Sequence, residues 1–228
     1  MPHRAWALGL LFAWSAIQAA EIRGRVDWAS HEGVAPRLAD PRIGVTLLAG
    51  PDGPVTSAAS REHLLRVVDG RFQPAYLVVQ RGDRIRFRNE DPVHHLLFWE
   101  PEDTEIRLAP PQRDGLAAEL SRPLAHPGIY HLFCRIHSRN HARIDVLESG
   151  ETRLLEPGGR FEFRGLRPGQ WKLRIAAPGA ETREIDALAM TAPPPLAIVL
   201  QRRMLQRRGP AGLPVVAVEQ LYPARPGY

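Results

Sequence analysis

The chain has 228 residues and a formal net charge of +5, from 30 basic and 25 acidic residues. Lys172 is the only lysine, and the arginines are scattered among alanines and prolines instead of forming one basic segment, which argues against a nucleic-acid surface despite the positive sign. A single cysteine, Cys134, rules out an intramolecular disulfide, so the fold must rest on its own core, for which about 200 residues suffice as one large or two small domains.

The N-terminus comes first. Met1, His3 and Arg4 precede an uncharged stretch, AWALGLLFAWSAIQAA, from Ala5 to Ala20, and charge becomes frequent only from Glu21. A basic start, a short apolar centre and a small-residue end make a secretory signal peptide, and the stretch is shorter than the roughly 20 apolar residues of a membrane span. Residues 1–20 are expected to be removed near Ala20, leaving a periplasmic protein with no transmembrane segment in the mature chain.

Beta signals follow. Ile43–Leu48, Tyr76–Val79, Arg84–Arg88, His94–Trp99, Ile129–Phe133 and Arg143–Leu147 are short apolar or alternating runs separated by Gly, Pro and Asp clusters, at the spacing of a β-sandwich. Arg84–Arg88 (RIRFR) has period two, with Ile85 and Phe87 on the inner face. Asp114–Leu120 (DGLAAEL) is the one candidate for a short helical turn. After residue 150, Gly159–Phe163, the turn around Pro168-Gly169, and Gln170–Ile175 read as strand, turn and strand. Arg183–Leu188 and Leu196–Leu200 add two more strands across the run Pro193–Pro195. From Arg202 the chain is rich in Pro, Gly and Arg, and residues 202–228 are expected to be a disordered tail.

A lone thiol in an oxidising compartment is a liability unless it is buried or used. Buried, Cys134 is merely a small apolar residue. Its surroundings favour use. Asn89-Glu90-Asp91-Pro92-Val93-His94-His95 follows the RIRFR strand, Cys134-Arg135-Ile136-His137 closes a later one, and His141 comes four residues on. A thiolate and an imidazole three residues apart on a loop between strands can turn to one ion while another imidazole arrives from a neighbouring strand. That His₂Cys set suits copper, since soft thiolate favours Cu(I) and imidazole serves both oxidation states. Other chemistries lack their signatures. There is no Gly-rich phosphate loop, no G-x-S-x-G elbow and no second Cys-x-x-Cys, so an enzyme that makes or breaks covalent bonds is not expected.

Phe72-Gln73-Pro74, Val78-Val79, Gly82-Asp83, Phe87-Arg88-Asn89, His95, Pro127-Gly128-Ile129-Tyr130 and Cys134-x-Ile136-His137 together resemble the cupredoxin pattern of plastocyanin, pseudoazurin and amicyanin. The resemblance covers roughly residues 60–148. DPVHH followed by CRIH is most similar to periplasmic plastocyanin-like proteins labelled methylamine utilisation proteins. It implies a Greek-key β-sandwich holding one mononuclear copper ion, with His95 as the upstream ligand, Cys134 as the thiolate and His137 as the second imidazole. The family's weak axial methionine, six residues after the cysteine in short loops, is replaced here by Asn140. Axial ligation then passes either to the Asn140 amide oxygen or to His141, and either choice retunes the potential. Strand alternation turns His94 outward, and His131 falls on the strand face opposite Cys134. His31, His63 and His126 read as loop or surface residues.

The segments Gly159-Arg160-Phe161-Glu162-Phe163, Gly165–Gly169 and Trp171-Lys172-Leu173-Arg174 resemble the end of a carboxypeptidase-regulatory-like, transthyretin-like sandwich, and Gly24-Arg25-Val26 with Val45-Thr46-Leu47 resemble its beginning. The expected protein is all-β, with a cupredoxin domain over 51–148 inserted into a discontinuous sandwich of 21–50 and 149–201. Its expected work is one-electron transfer with a redox partner protein. The alternatives are copper exchange with a donor or acceptor, or a metal-free binding module.

Overall fold

The computed structural model describes residues 19–29, 40–56, 60–100, 104–110, 118–120, 123–137, 140–202, 205–208 and 214–217. The expected signal peptide, except its last two residues, and His31 lie outside them. The strands in chain order are β1 (Ala20–Trp28), β2 (Ile43–Gly50), β3 (Gly53–Pro54), β4 (Glu62–Val68), β5 (Arg71–Gln73), β6 (Tyr76–Gln80), β7 (Arg84–Asn89), β8 (His95–Glu100), β9 (Thr104–Leu108) and β10 (Ala118–Leu120). They continue as β11 (Gly128–Cys134), β12 (His141–Leu147), β13 (Glu151–Leu155), β14 (Arg160–Leu166), β15 (Gly169–Ala176), β16 (Arg183–Ala189), β17 (Leu196–Leu200), β18 (Leu205–Arg208) and β19 (Pro214–Ala217). The protein is all-β, as expected, and no helix occurs among the described residues.

Two sheets, in strand orders β10-β7-β4-β5 and β6-β12-β11-β8-β9, face each other across one core. That sandwich is filled by alternate residues of each strand. In β7, Ile85 and Phe87 are fully buried while Arg84, Arg86 and Arg88 face outward, and on β11 Tyr130, Leu132 and Cys134 point to the same core. Each such side chain stabilises the fold by about 1.5–3 kcal/mol through burial.

A second pair of sheets, β14-β1-β17 and β13-β2-β15-β16, encloses a separate core of Ile22, Val26, Val45, Leu47, Phe161, Phe163 and Ile175. Strands from before residue 51 therefore pair with strands from after residue 150. Gly24 is required at one point of that core, since a Cβ there would stand 2.6 Å from the Phe161 ring and the Leu196 carbonyl.

The two units meet through a buried polar junction. Asp145 accepts from Arg143 Nε at 2.6 Å and from Arg174 at 2.9 Å, Arg143 also donates to the Ala177 carbonyl, and the Tyr76 hydroxyl lies 3.3 Å from both Asp145 and the Ala176 carbonyl. Both faces of β12 are consequently covered, one by the core of the first sandwich and one by this junction.

Two expectations need correction. Ala118–Leu120 is a strand paired with Arg86–Arg88 of β7, so that part of the DGLAAEL segment is not helical, and residues 114–117 lie outside the described residues. The helix-favouring Ala, Glu and Leu yield to an open sheet edge that offers hydrogen-bond partners, the usual outcome when tertiary pairing opposes a weak propensity. In the tail, Leu205–Arg208 and Pro214–Ala217 pair antiparallel instead of standing free, with Val215 and Val216 supplying β-favouring residues.

Candidate metal centre

The site is built where β7 ends, β8 begins and β11 ends. Asn89, the last residue of β7, is fully buried, and its side chain donates to the carbonyls of Val93 and Ala109 at 2.7 and 2.8 Å while accepting from the Asp91 amide at 2.9 Å. The loop to His95 is thereby pinned to the strand that precedes it. The buried Asp91 carboxylate accepts the amides of Asp69 and Gly70 at 2.6 and 2.9 Å. Those two residues, both at positive φ, form the two-residue turn between β4 and β5, and Asp-Gly is a pair suited to that backbone. A Cβ on Gly70 would stand 3.8 Å from His137, so this turn packs beside the site.

Asp91 also lies 2.9 Å from His95 Nε2. A carboxylate with no hydrogen of its own assigns that hydrogen to the imidazole, which leaves the lone pair on Nδ1. His95 is fully buried, and burial, then His137, hold its pKa below the ordinary histidine value against the opposing pull of Asp91. The ring is therefore held neutral, as a ligand must be.

Cys134 follows from strand alternation. It faces the core beside Leu132 and is 4% exposed. Its Sγ lies 3.6 Å from His95 Nδ1 and 3.6 Å from His137 Nδ1. The ring centroids of the two histidines are 4.6 Å apart. Ligand atoms of His95, Cys134 and His137 all lie within 4.8 Å of one another, the only such group of three among the described residues. The loop is closed by Cys134 N donating to the Asn140 carbonyl and Asn140 N donating to that of His137.

The donor set fits copper. Two ligands about 2.0–2.3 Å from one ion are separated by about the S···N distance seen here, and one thiolate with two imidazoles is a copper set. Asn140 adds a second sign: it is 1% exposed, yet neither its Oδ1 nor its Nδ2 has a hydrogen-bond partner. Such a group costs about 1–3 kcal/mol of desolvation unless something satisfies it.

The remaining expected residues are placed as follows. His94 is exposed and outside the cluster, as alternation requires. His141 does not join it. Ala142, Ile144 and Val146 of β12 face the core, so His141 lies on the outer face, where its Nε2 meets His131 Nδ1 at 2.9 Å and its ring stacks on Phe133. Burial, with His131 and Arg143 adding, pushes its pKa down to about 4. His131 shifts the same way, through burial and Arg143. His126 is exposed, but His63 is no loop residue: it lies in β4, with Nε2 2.8 Å from Asp83. Sequence reasoning gave no role to Asp91. The available signal was a carboxylate four residues before His95, together with an Asp-Gly pair that marks a tight hairpin.

No family model matches the chain, and no curated protein does. Among solved structures it is similar to native pseudoazurin from Hyphomicrobium denitrificans, with 19% identity, 37% of this chain and 74% of that one covered, and a TM-score of 0.28. It is also similar to amicyanin from Paracoccus versutus, with 13% identity, 47% and 98% covered and a TM-score of 0.31. For an amicyanin variant in the Cu(I) form the figures are 16% identity, 37% and 81% covered and a TM-score of 0.30.

Proposed function

We propose that the protein is a periplasmic one-electron carrier whose copper would be held by His95, Cys134 and His137, with the unpartnered Asn140 amide as a further donor. The observation that carries this reading is the convergence of both histidine Nδ1 atoms on the Cys134 Sγ at 3.6 Å, with His95 and Cys134 buried and His137 half-buried. Bound copper would supply a couple between Cu(I) and Cu(II), which suits mixed thiolate and imidazole ligation.

The chain's own residues do the rest. Asp91 holds the His95 ring in orientation and tautomer, Asn89 fixes the loop that carries Asp91, and β8 and β11 hold His95 and Cys134 on one rigid sheet. A ligand set that is held on strands has little room to rearrange between oxidation states. His137 is half-buried beside the exposed Ile136, which makes its edge the electron port toward a redox partner protein. No covalent bond is made or broken. The division into a copper domain over 51–148 and a discontinuous sandwich of 21–50 and 149–201 belongs to the same proposal, with the second unit presenting the first to its partner. Among the described residues no helix is long and apolar enough to cross a membrane.

The test is the colour of the copper-loaded protein. Cu(II) should produce an intense thiolate-to-copper visible band that Cys134→Ser abolishes, and voltammetry should show reversible reduction. Absence of the band would overturn the site. A band without reversible reduction would leave copper exchange with a donor or acceptor as the function.

A further inference from the structure

The outer face of the five-stranded sheet carries a second group of ligand atoms that the copper reading does not use. Register sets the rows across β8, β11 and β12: Glu100 stands opposite His131, which stands opposite Arg143, and Phe98, Phe133 and His141 fill the adjacent row. Alternation separates this face from the copper site, since Leu132 and Cys134 of β11 point inward while His131 and Phe133 point outward.

Two nitrogens converge here. His131 Nδ1 and His141 Nε2 are 2.9 Å apart, the rings stack with centroids 5.2 Å apart, and Phe133 backs the His141 ring at 4.9 Å. Two imidazole nitrogens each about 2.0–2.1 Å from one ion, at about a right angle, span that separation. Two neutral rings sharing one hydrogen also span it, so occupancy decides between them. Directly paired residues on neighbouring strands have Cβ atoms about 4.5–5.5 Å apart, so a turn of the Glu100 side chain brings its carboxylate to His131. The Glu100 side chain is exposed. The Arg143 guanidinium in the same row is bound to Asp145 at 2.6 and 3.0 Å, but Asp145 also takes Arg174, so one positive charge remains beside the rings and the Glu100 carboxylate is what opposes it at His131.

We propose that His131, His141 and Glu100 form a second cation site, for a borderline divalent ion such as Zn(II) or Cu(II), on the outer face of the sheet. Two imidazoles and a carboxylate suit these ions, and water completes the shell. The site is independent of the copper reading and stands if that reading fails.

Zn(II) is the probe, added to the metal-free chain while the imidazole resonances of all histidines are followed by NMR. His131 and His141 should move together and saturate at one equivalent, separately from any shifts of His95 and His137, which report on the Cys134 site. His131→Gln and His141→Gln should each weaken this binding by at least about tenfold, and Glu100→Gln by less, with thermal melts checking that the variants fold. The proposal is overturned if the two rings keep their hydrogen-bonded resonances in excess Zn(II), or if binding at His141 persists unchanged in His131→Gln. Should a variant unfold, the wild-type resonances decide alone.

Discussion

Two of the places where this molecule buries polar side chains treat them in opposite ways. At the junction between the sandwiches, Asp145 is fully buried and meets two arginines and a tyrosine hydroxyl, each in hydrogen-bond range. Just before β12, Asn140 is equally buried and its amide has no hydrogen-bond partner among the described residues, while three candidate ligand atoms converge at and after the end of β11 and at the start of β8. A polar cluster that serves the fold satisfies itself, because any unpaired group there subtracts from stability. A cluster left unsatisfied must be maintained for some other reason, and ligation is the reason its chemistry suggests.

The largest effect is expected where that contrast is broken at the junction. Asp145→Ala leaves Arg143 and Arg174 facing each other without their carboxylate, and removing one partner of a buried ion pair costs about 3–5 kcal/mol. The urea unfolding midpoint measures it. A loss under about 1 kcal/mol, typical of an exposed pair, would mean that the network is not sealed from water.

Next comes a carboxylate beside the candidate metal centre. Asp91→Asn keeps shape and an acceptor for one of the two turn amides, yet it loses the carboxylate that fixes the His95 tautomer. Cu(II) affinity, measured against a competing chelator, should fall about 10–100-fold, the usual effect of losing such an outer partner. In the metal-free protein, His95 should show a mixture of tautomers by NMR. Unchanged affinity and tautomer would reduce Asp91 to a tie for the β4–β5 turn.

How far this contrast could be read in the sequence depends on range. The strand expected over Arg84–Arg88 was legible because period two is a local property, and it runs one residue further, to Asn89; the grouping of His95, Cys134 and His137 was legible because Cys134 and His137 sit three residues apart within one loop. Asp145 was not legible: its partners Tyr76 and Arg174 lie 69 and 29 residues away, and only the folded sheets bring them together. Asp91 was visible as a letter but not as a partner, since its role depends on a turn about twenty residues earlier closing over it. His141 was legible as a histidine near the loop, and one step of strand alternation carried it to the other face. The DGLAAEL segment failed because an edge of β7 overrode local preference.

The unpaired amide permits a test of opposite sign. Asn140→Leu replaces it with an apolar group of similar size, and the metal-free protein should gain about 1–2 kcal/mol, since the desolvation penalty disappears. The copper-loaded variant should show a shifted visible band if the amide is the axial donor. A candidate ligand whose removal stabilises the fold, beside a junction residue whose removal destabilises it, is the comparison in its sharpest form. Loss of stability in Asn140→Leu would instead show that the amide is satisfied in solution.

The smallest effect separates the two regions by pH. Burial, then the nearby Asp145 charge, raises the Tyr76 pKa above its ordinary value of about 10. Below that value both folded and unfolded chains keep the phenolic hydrogen, and Tyr76 adds no pH dependence. Above it the unfolded chain releases the hydrogen while the folded chain holds it, so the unfolded state is favoured by up to about 1.4 kcal/mol per pH unit from this residue. Tyr76→Phe should cost about 1 kcal/mol at neutral pH, for the hydrogen bond it loses at the junction, and should have a flatter stability profile above pH 10. Urea midpoints collected between pH 8 and pH 11.5 would show the two curves converging. Parallel curves would mean that the Tyr76 hydroxyl ionises as readily in the folded protein as in water, and the junction would then be open to solvent in the very place where its polar groups are most completely paired.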